Sequence, residues 1–215
     1  MWHCLWEASK DNKDVLAPDY WSPTNTSDDD IRAIFTIDSQ EPPMMEERIE
    51  TLRSIAHYYE KTGKTLFDLY TEANGSAQKF IASLKEISCF EDEPFFKKAQ
   101  LFPTLLLGWK DCWDDQETIS VCPDYKIPFK MRELGILEYS DELTEAIRKN
   151  DDLAETKMEQ DIRTATVWAG ELISNEFHKK GREDIFPLHV DKIFWKTAGK
   201  GEGELPTHYA LTTKY

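Results

Sequence analysis

Met45–Gly63, MEERIETLRSIAHYYEKTG, is the stretch that decides the fold, together with Leu66–Ala73, LFDLYTEA, and the apolar positions Phe80, Ile81, Leu84 and Ile87 that follow. Met45, Ile49, Leu52, Ala56 and Tyr59 recur every three or four residues, so they share one face of a helix. Gly63 then supplies a residue suited to a left-handed C-terminal cap. Gly75-Ser76 separates the second helical run from the third. Three helices in succession predict an all-α domain.

Outward from this core, Met1–Asp28 holds Trp2, Trp6, Trp21, Pro18 and Pro23 with little periodicity, which predicts a short helix and a loop. At Thr26–Asp30 a capping residue and first-turn acids precede Ile31, Ile34 and Phe35, the start of another short helix. Phe95–Trp109 is apolar nearly all round and reads as a central helix, kinked or divided at Pro103. Residues 116–128, with Pro123 and Pro128, read as a structured loop. Further helices are expected over Phe129–Glu133, over Asp141–Lys149 capped by Ser140, and over Leu188–Ala198. A longer one covers roughly Leu153–Lys179, with Ile162, Ala165, Ala169, Leu172, Ile173 and Phe177 facing inward. The chain thus divides into a short N-terminal segment (1–28), a helical domain (29–198) and a polar C-terminal tail (199–215), with no internal repeat.

A chain of 215 residues with 40% hydrophobic residues, including 7 Trp, 8 Tyr and 11 Phe, can bury one sizeable core. Its 26 Lys and Arg against 41 Asp and Glu give a formal net charge of -15. That charge repels polyanions, so stable binding of tRNA or DNA is not expected, and a DNA-repair role is disfavoured. A single nucleotide needs only a few local cations or a helix N-terminus, and fits as a ligand. Cys4, Cys89, Cys112 and Cys122 form no C-x-x-C pair, and the histidines show no metal-binding spacing, so no zinc or other metal is expected. The first residues lack the pattern of a signal peptide and no run reaches membrane-spanning length, which suits a cytoplasmic monomer.

Several charged residues admit two readings. Lys97 and Lys98 lie within the most apolar helix, either snorkelling to water or with one of them anchoring an anion in a pocket. Asp124, between Pro123 and Tyr125, is either a turn former or a rigidly held carboxylate of the kind that stabilises positive charge on a ribose. Asp161, Arg163, Trp168 and Glu171 share one long helix, where solvated or salt-bridged charges are the ordinary case. Asp191, before Phe194-Trp195, reads equally as an acid in the first turn of a helix.

Taken in order, these motifs resemble the queuosine salvage protein family over nearly the whole chain. Phe95-Phe96-Lys97-Lys98-Ala99-Gln100 is similar to the family's Phe-Tyr-Lys-Arg-Ala-Gln helix motif. Asp124-Tyr125-Lys126-Ile127-Pro128 resembles its Asp-Tyr-Arg-hydrophobic-Pro loop, and Leu134–Ser140 the turn that follows. Pro43–Arg48, Asn74–Gln78, Asp161-Ile162-Arg163 with Trp168 and Glu171, and Val190-Asp191 with Phe194-Trp195 resemble further family stretches. The chain departs from the pattern at Lys98 and Lys126, which stand for arginines, at Leu105, which stands for an aspartate, and at Pro103 and Phe129. An N-terminal portion of the pattern is expected to be missing or replaced by residues 1–28.

The resemblance implies an all-α fold akin to helical base-excision glycosylases. It also implies hydrolysis of the N-glycosidic bond of queuosine 5′-monophosphate, with release of queuine and no cofactor. By the same resemblance Asp124 is the catalytic carboxylate, Lys97 the positioning cation and Asp191 a polar contact to the nucleotide, joined among the substrate-binding candidates by Asp161. Phe96, Tyr125 and Trp168 are the candidates for stacking on the base. The rival reading is a non-catalytic nucleotide-binding or interaction protein derived from the same family.

Overall fold

The computed structural model describes residues 2–106, 113–201 and 203–214, apart from the side chains of Trp2 and Lys13. Cys112, Tyr215 and the expected end of the central helix at Trp109 lie outside the described residues. Among those residues ten α-helices follow one another: α1 (Trp2–Asp11), α2 (Asp28–Phe35), α3 (Met45–Thr62), α4 (Leu66–Ala73), α5 (Ala77–Leu84), α6 (Lys97–Leu106), α7 (Lys126–Glu133), α8 (Asp141–Lys149), α9 (Lys157–Lys179) and α10 (Pro187–Thr197). The only β-pairings among them are two isolated bridges. The protein is all-α, as the sequence predicts.

Local chemistry explains the helix limits. Ser27 and Asp30 form a reciprocal capping box that opens α2, and Thr65 with Asp68 does the same for α4. Gly63 adopts φ 70° at the end of α3 and donates its N–H to the Tyr59 carbonyl. Ser76 caps α5 through the Lys79 N–H, and Asp115 from a later loop accepts from the Ala77 N–H at 2.6 Å and the Ser76 hydroxyl at 2.7 Å. Gly75 takes φ 85°, a conformation that favours glycine, and its carbonyl accepts the Asp114 N–H at 2.7 Å where that loop closes on α5. The Asn74–Gln78 motif is therefore a structural lock between two segments.

Helix α3 sits between two apolar clusters. Ile49, Leu52 and Ala56 pack with Cys4, Val15, Trp21, Ile31 and Phe35, while Ile55 and Tyr58 reach a second cluster built on Leu69, Phe80, Leu84, Ile87, Phe90, Trp113 and Leu188. Arg53 binds the carbonyls of Trp21 and Thr26 and the Asp28 carboxylate, fastening the N-terminal segment to α3. At the other end, Val121, Ile127, Met131, Ala169, Val190 and Phe194 join α7, α9 and α10. Residues 203–214 return to the domain: Leu153 donates to the Tyr209 carbonyl at 3.0 Å, Leu211 donates to Asp152 at 2.9 Å, and His208 is buried.

Three elements differ from expectation. Helix α6 begins at Lys97, leaving Phe95 and Phe96 outside, because the Asp92 carboxylate accepts the Lys97 N–H and the Asp92 carbonyl accepts that of Phe96, which takes φ 49°. Helix α7 starts at Lys126, three residues earlier than the prolines suggest, since Pro128 falls in a first turn that needs no N–H from it. In α9, Leu172 and Phe177 are exposed, at 58% and 39%, and the inward face carries Glu159, Ile162, Arg163, Thr166, Ala169, Gly170 and Ser174. That face is largely polar because it turns toward a buried ion pair.

A buried carboxylate–lysine cluster as candidate functional site

Cys122 is the pivot of the site. Its backbone N–H donates to Asp191 Oδ1 at 2.8 Å, its carbonyl accepts the Asp124 N–H at 2.8 Å, and its thiol lies 3.9 Å from the Lys97 carbonyl as a weak donor. One residue of the 119–125 loop thereby joins α6 and α10 to the turn that leads into α7. Burial pushes the Cys122 thiol well above its ordinary range, and the Asp191 carboxylate adds to that, so it stays a neutral donor.

Asp124, 7% exposed, is fixed through one oxygen. Its Oδ1 accepts the N–H groups of Lys126 at 2.7 Å and Ile127 at 3.2 Å, so the side chain closes the N-terminus of α7, where the helix dipole suits negative charge. Its Oδ2 has no hydrogen-bond partner among the described residues. The sequence pattern allows a cap or a reactive carboxylate; the geometry commits one oxygen to the cap and leaves the other without a partner among the described residues.

Lys97 is 7% exposed at the first position of α6, and among the described residues its amine forms no ion pair within 4 Å. Lys98 beside it is half-buried; burial lowers its pKa, partly countered by Cys89 and Asp92. Asp191, 5% exposed on α10, has its pKa raised to about 6. Burial is the main cause, the Asp124 charge adds to it, and the Cys122 hydrogen bond and the Lys97 and Lys192 charges oppose it.

Behind these groups lies a second buried ensemble that the sequence did not reveal. Arg163 grips both oxygens of Asp92, with Nη1 to Oδ1 at 2.8 Å, and its Nε donates to the Pro123 carbonyl at 3.3 Å. Asp92 caps the helix that begins with Lys97, and Pro123 precedes Asp124, so a single guanidinium sets the spacing of the two candidates. Glu159 stands 3.9 Å away, and Phe95 offers its ring at 4.2 Å. His208 from the returning C-terminal segment completes the shell, its pKa lowered to about 4 first by burial and then by Arg163. The available signal was the spacing of Glu159, Arg163, Thr166, Gly170 and Ser174, a polar and small stripe at helical period opposite the apolar one.

Asp124, Lys97 and Asp191 are thus brought together; the other candidates are not part of that contact set. Tyr125 is 42% exposed beside Asp124, at the rim, where Lys126 Nζ lies 4.7 Å from the ring of the half-exposed Trp195. The Phe96 ring packs against the α4–α5 cluster with Lys85 Nζ 3.8 Å above it. Trp168 is 64% exposed on the outer face of α9, and Asp161 forms a solvated pair with Lys157 at 2.6 Å. A cleft of about 570 Å³ between α1 and α2, lined by His3, Glu7, Ile34 and Ile37, lies elsewhere. No group of three or more His, Cys, Asp or Glu is arranged to hold a metal ion among the described residues, and no described helix is long and apolar enough to cross a membrane.

Fold and cluster together define an all-α protein in which a carboxylate on a proline-bounded loop, a second on α10 and a lysine on α6 are buried around Cys122, a set suited to acid–base or nucleophilic chemistry. Comparison with known proteins gives the particular family: the queuosine salvage protein family matches residues 1–215, and the chain belongs to it. The chain is 31% identical over 183 residues to the queuosine 5′-phosphate N-glycosylase/hydrolase of Mus musculus, covering 76% of this chain and 54% of that protein. The Bos taurus protein of the same name is 30% identical over 79% of this chain and 57% of its own length. That of Sphaerobacter thermophilus is 26% identical over 87% and 62%. The chain therefore spans about half to three-fifths of the length of these curated relatives.

Proposed function

We propose that this chain hydrolyses the N-glycosidic bond of queuosine 5′-monophosphate, releasing queuine for reuse in tRNA. The observation that carries the reading is that the buried carboxylates of Asp124 and Asp191 and the Lys97 amine lie close enough to act on one another's charge, around a Cys122 that bonds the Asp191 side chain and the backbones of Lys97 and Asp124, in a member of the queuosine salvage family. In this reading the unpartnered Asp124 oxygen faces the ribose anomeric carbon. There it stabilises an oxocarbenium-like transition state or traps it covalently before water attacks. Lys97, buried without a counter-ion at hydrogen-bonding range among the described residues, positions the nucleotide by its negative charge. Tyr125 is the best placed of the aromatic candidates to stack on the base, being exposed next to Asp124. Asp161 and Phe96 would contribute only after rearrangement of the contacts they now make, and Trp168 is exposed on the outer face of α9. The protein acts as a monomer on a small-molecule substrate, without a cofactor.

The test is incubation of the purified chain with queuosine 5′-monophosphate while free queuine is followed by chromatography, with queuosine and guanosine monophosphate as controls. Queuine release is expected from the first substrate. Asp124→Asn should lower kcat by about a thousandfold or more with its circular dichroism unchanged, a loss of the size seen when a charge-stabilising group is removed. Lys97→Ala should act mainly on productive binding, lowering kcat/KM by about tenfold to a hundredfold. Full turnover in Asp124→Asn would sink the assignment of the carboxylate. Tight nucleotide binding with no release would replace hydrolysis by a binding function.

A further inference from the structure

Cleavage of a glycosidic bond to a heterocyclic base needs a proton for the departing nitrogen as well as an anion for the sugar. Asp124 suits the anionic role, since it sits at a helix N-terminus with two N–H groups on one oxygen. Asp191 is built differently. It emerges from the middle of α10 into the same cluster, is 5% exposed, accepts a single N–H from Cys122 on Oδ1, and has no partner for Oδ2 among the described residues. Two carboxyl groups sharing one buried cluster, in environments this unlike, suit different roles in one reaction.

We infer that Asp191 is the catalytic acid that protonates the leaving base, a role that rests on the proposed function. The bond between the anomeric carbon and the base nitrogen breaks with its electron pair going to the base, and the Asp191 proton goes to the base with it. Water then adds to the anomeric carbon and gives one proton to the Asp191 carboxylate, which restores the starting state. Asp191 supports this role by titrating at about 6 rather than 3.8. The charged and titratable groups that face it are Asp124, Cys122 and Lys97 from the neighbouring elements and Lys192 from its own helix. Among them the Asp124 charge keeps the proton on and the two lysines draw it off.

The experiment is the pH dependence of kcat for queuosine 5′-monophosphate, from pH 5 to 9, in the unsubstituted chain and in Asp191→Asn, which keeps an acceptor for the Cys122 N–H. The unsubstituted chain should lose activity about tenfold per pH unit on an alkaline limb, and Asp191→Asn should be slower by about 10²–10⁴ and lack that limb. A purely structural role would lower the level and leave the limb in place. An alkaline limb persisting in Asp191→Asn, or a rate within about threefold of the unsubstituted chain, overturns the inference. No turnover by the unsubstituted chain at any pH overturns the proposed function itself, and this role with it.

Discussion

Asp191 keeps a carboxylate out of water at a cost to the fold, and the sign of that cost is testable apart from any chemistry. Its pKa rises from 3.8 to about 6, so the native state carries a penalty that is complete above pH 6 and vanishes below pH 3.8. Two pKa units correspond to roughly 3 kcal/mol as an upper figure. Asp191→Asn removes the charge and keeps the Cys122 acceptor, so it should raise the melting temperature by several degrees at pH 7.5 and leave it unchanged near pH 4. For a chain of this size about 2–4 °C accompany each kcal/mol. Equal melting temperatures at pH 7.5 would show that the carboxylate is not strained. A residue that destabilises its own fold and is nonetheless held by a dedicated hydrogen bond is one whose charge state serves the site. Asp124 instead closes a helix N-terminus through two N–H groups, and that difference in contacts is the physical basis for giving the two acids different roles.

At the scale of the elements, the site depends on how closely the 119–125 loop lies on α9. A Cβ at Gly170 would overlap Val121 Cγ2, and Val121 is 1% exposed, so the methyl has nowhere to go. Gly170→Ala should cost about 1–3 kcal/mol in urea unfolding and lower kcat/KM by displacing the loop that carries Asp124. Removing the opposing methyls in a Gly170→Ala, Val121→Ala double variant should recover part of both losses. A single variant as stable and active as the original chain would refute the close packing. This dependence also marks where sequence reading reaches its limit. Helices α2 to α5 were legible because their signals are local: Ser27, Thr65, Gly63 and Ser76 act within four residues of themselves. The inward face of α9 is legible only in part: Ile162 and Ala169 are buried as expected, but apolar spacing favours Leu172 and Phe177 while the fold buries Arg163 against Asp92, 71 positions away. The start of α6 was misplaced for the same reason, its cap being a carboxylate held by α9. Asp124, Lys97 and Asp191 enter as candidates through ordered motifs; that Cys122 and Arg163 draw their segments together is not legible in spacing, because each bond spans distant segments.

For the molecule as a whole, the C-terminal segment and the site form one electrostatic unit with opposing responses to acid. His208 is buried neutral beside Arg163, its pKa falling from 6.5 to about 4. The unfolded chain takes up that proton below pH 6.5 and the folded chain does not until about pH 4, so stability is complete above 6.5 and declines across that window. Asp191 behaves in the opposite sense over nearly the same range, its penalty easing as pH falls from about 6 toward 3.8. Each contribution is about 3 kcal/mol at most, so the two nearly cancel and the unsubstituted chain gains little net slope from them between pH 6.5 and 4.5. Replacing one should expose the other. In urea titrations His208→Gln should become more stable on acidification through that interval, and Asp191→Asn less stable. Parallel slopes in the original chain and both variants would show that neither group is held in its minority charge state. The combination matters for the chemistry because the proposed acid step draws on the protonated fraction of Asp191, which grows as pH falls toward 6, and a neutral histidine behind Arg163 spares the guanidinium pairing with Asp92 from a competing positive charge. The residues after α10 are therefore part of the support of the site: loss of the 203–214 segment should loosen Arg163 and, through Pro123 and Asp92, the spacing of Asp124 and Lys97.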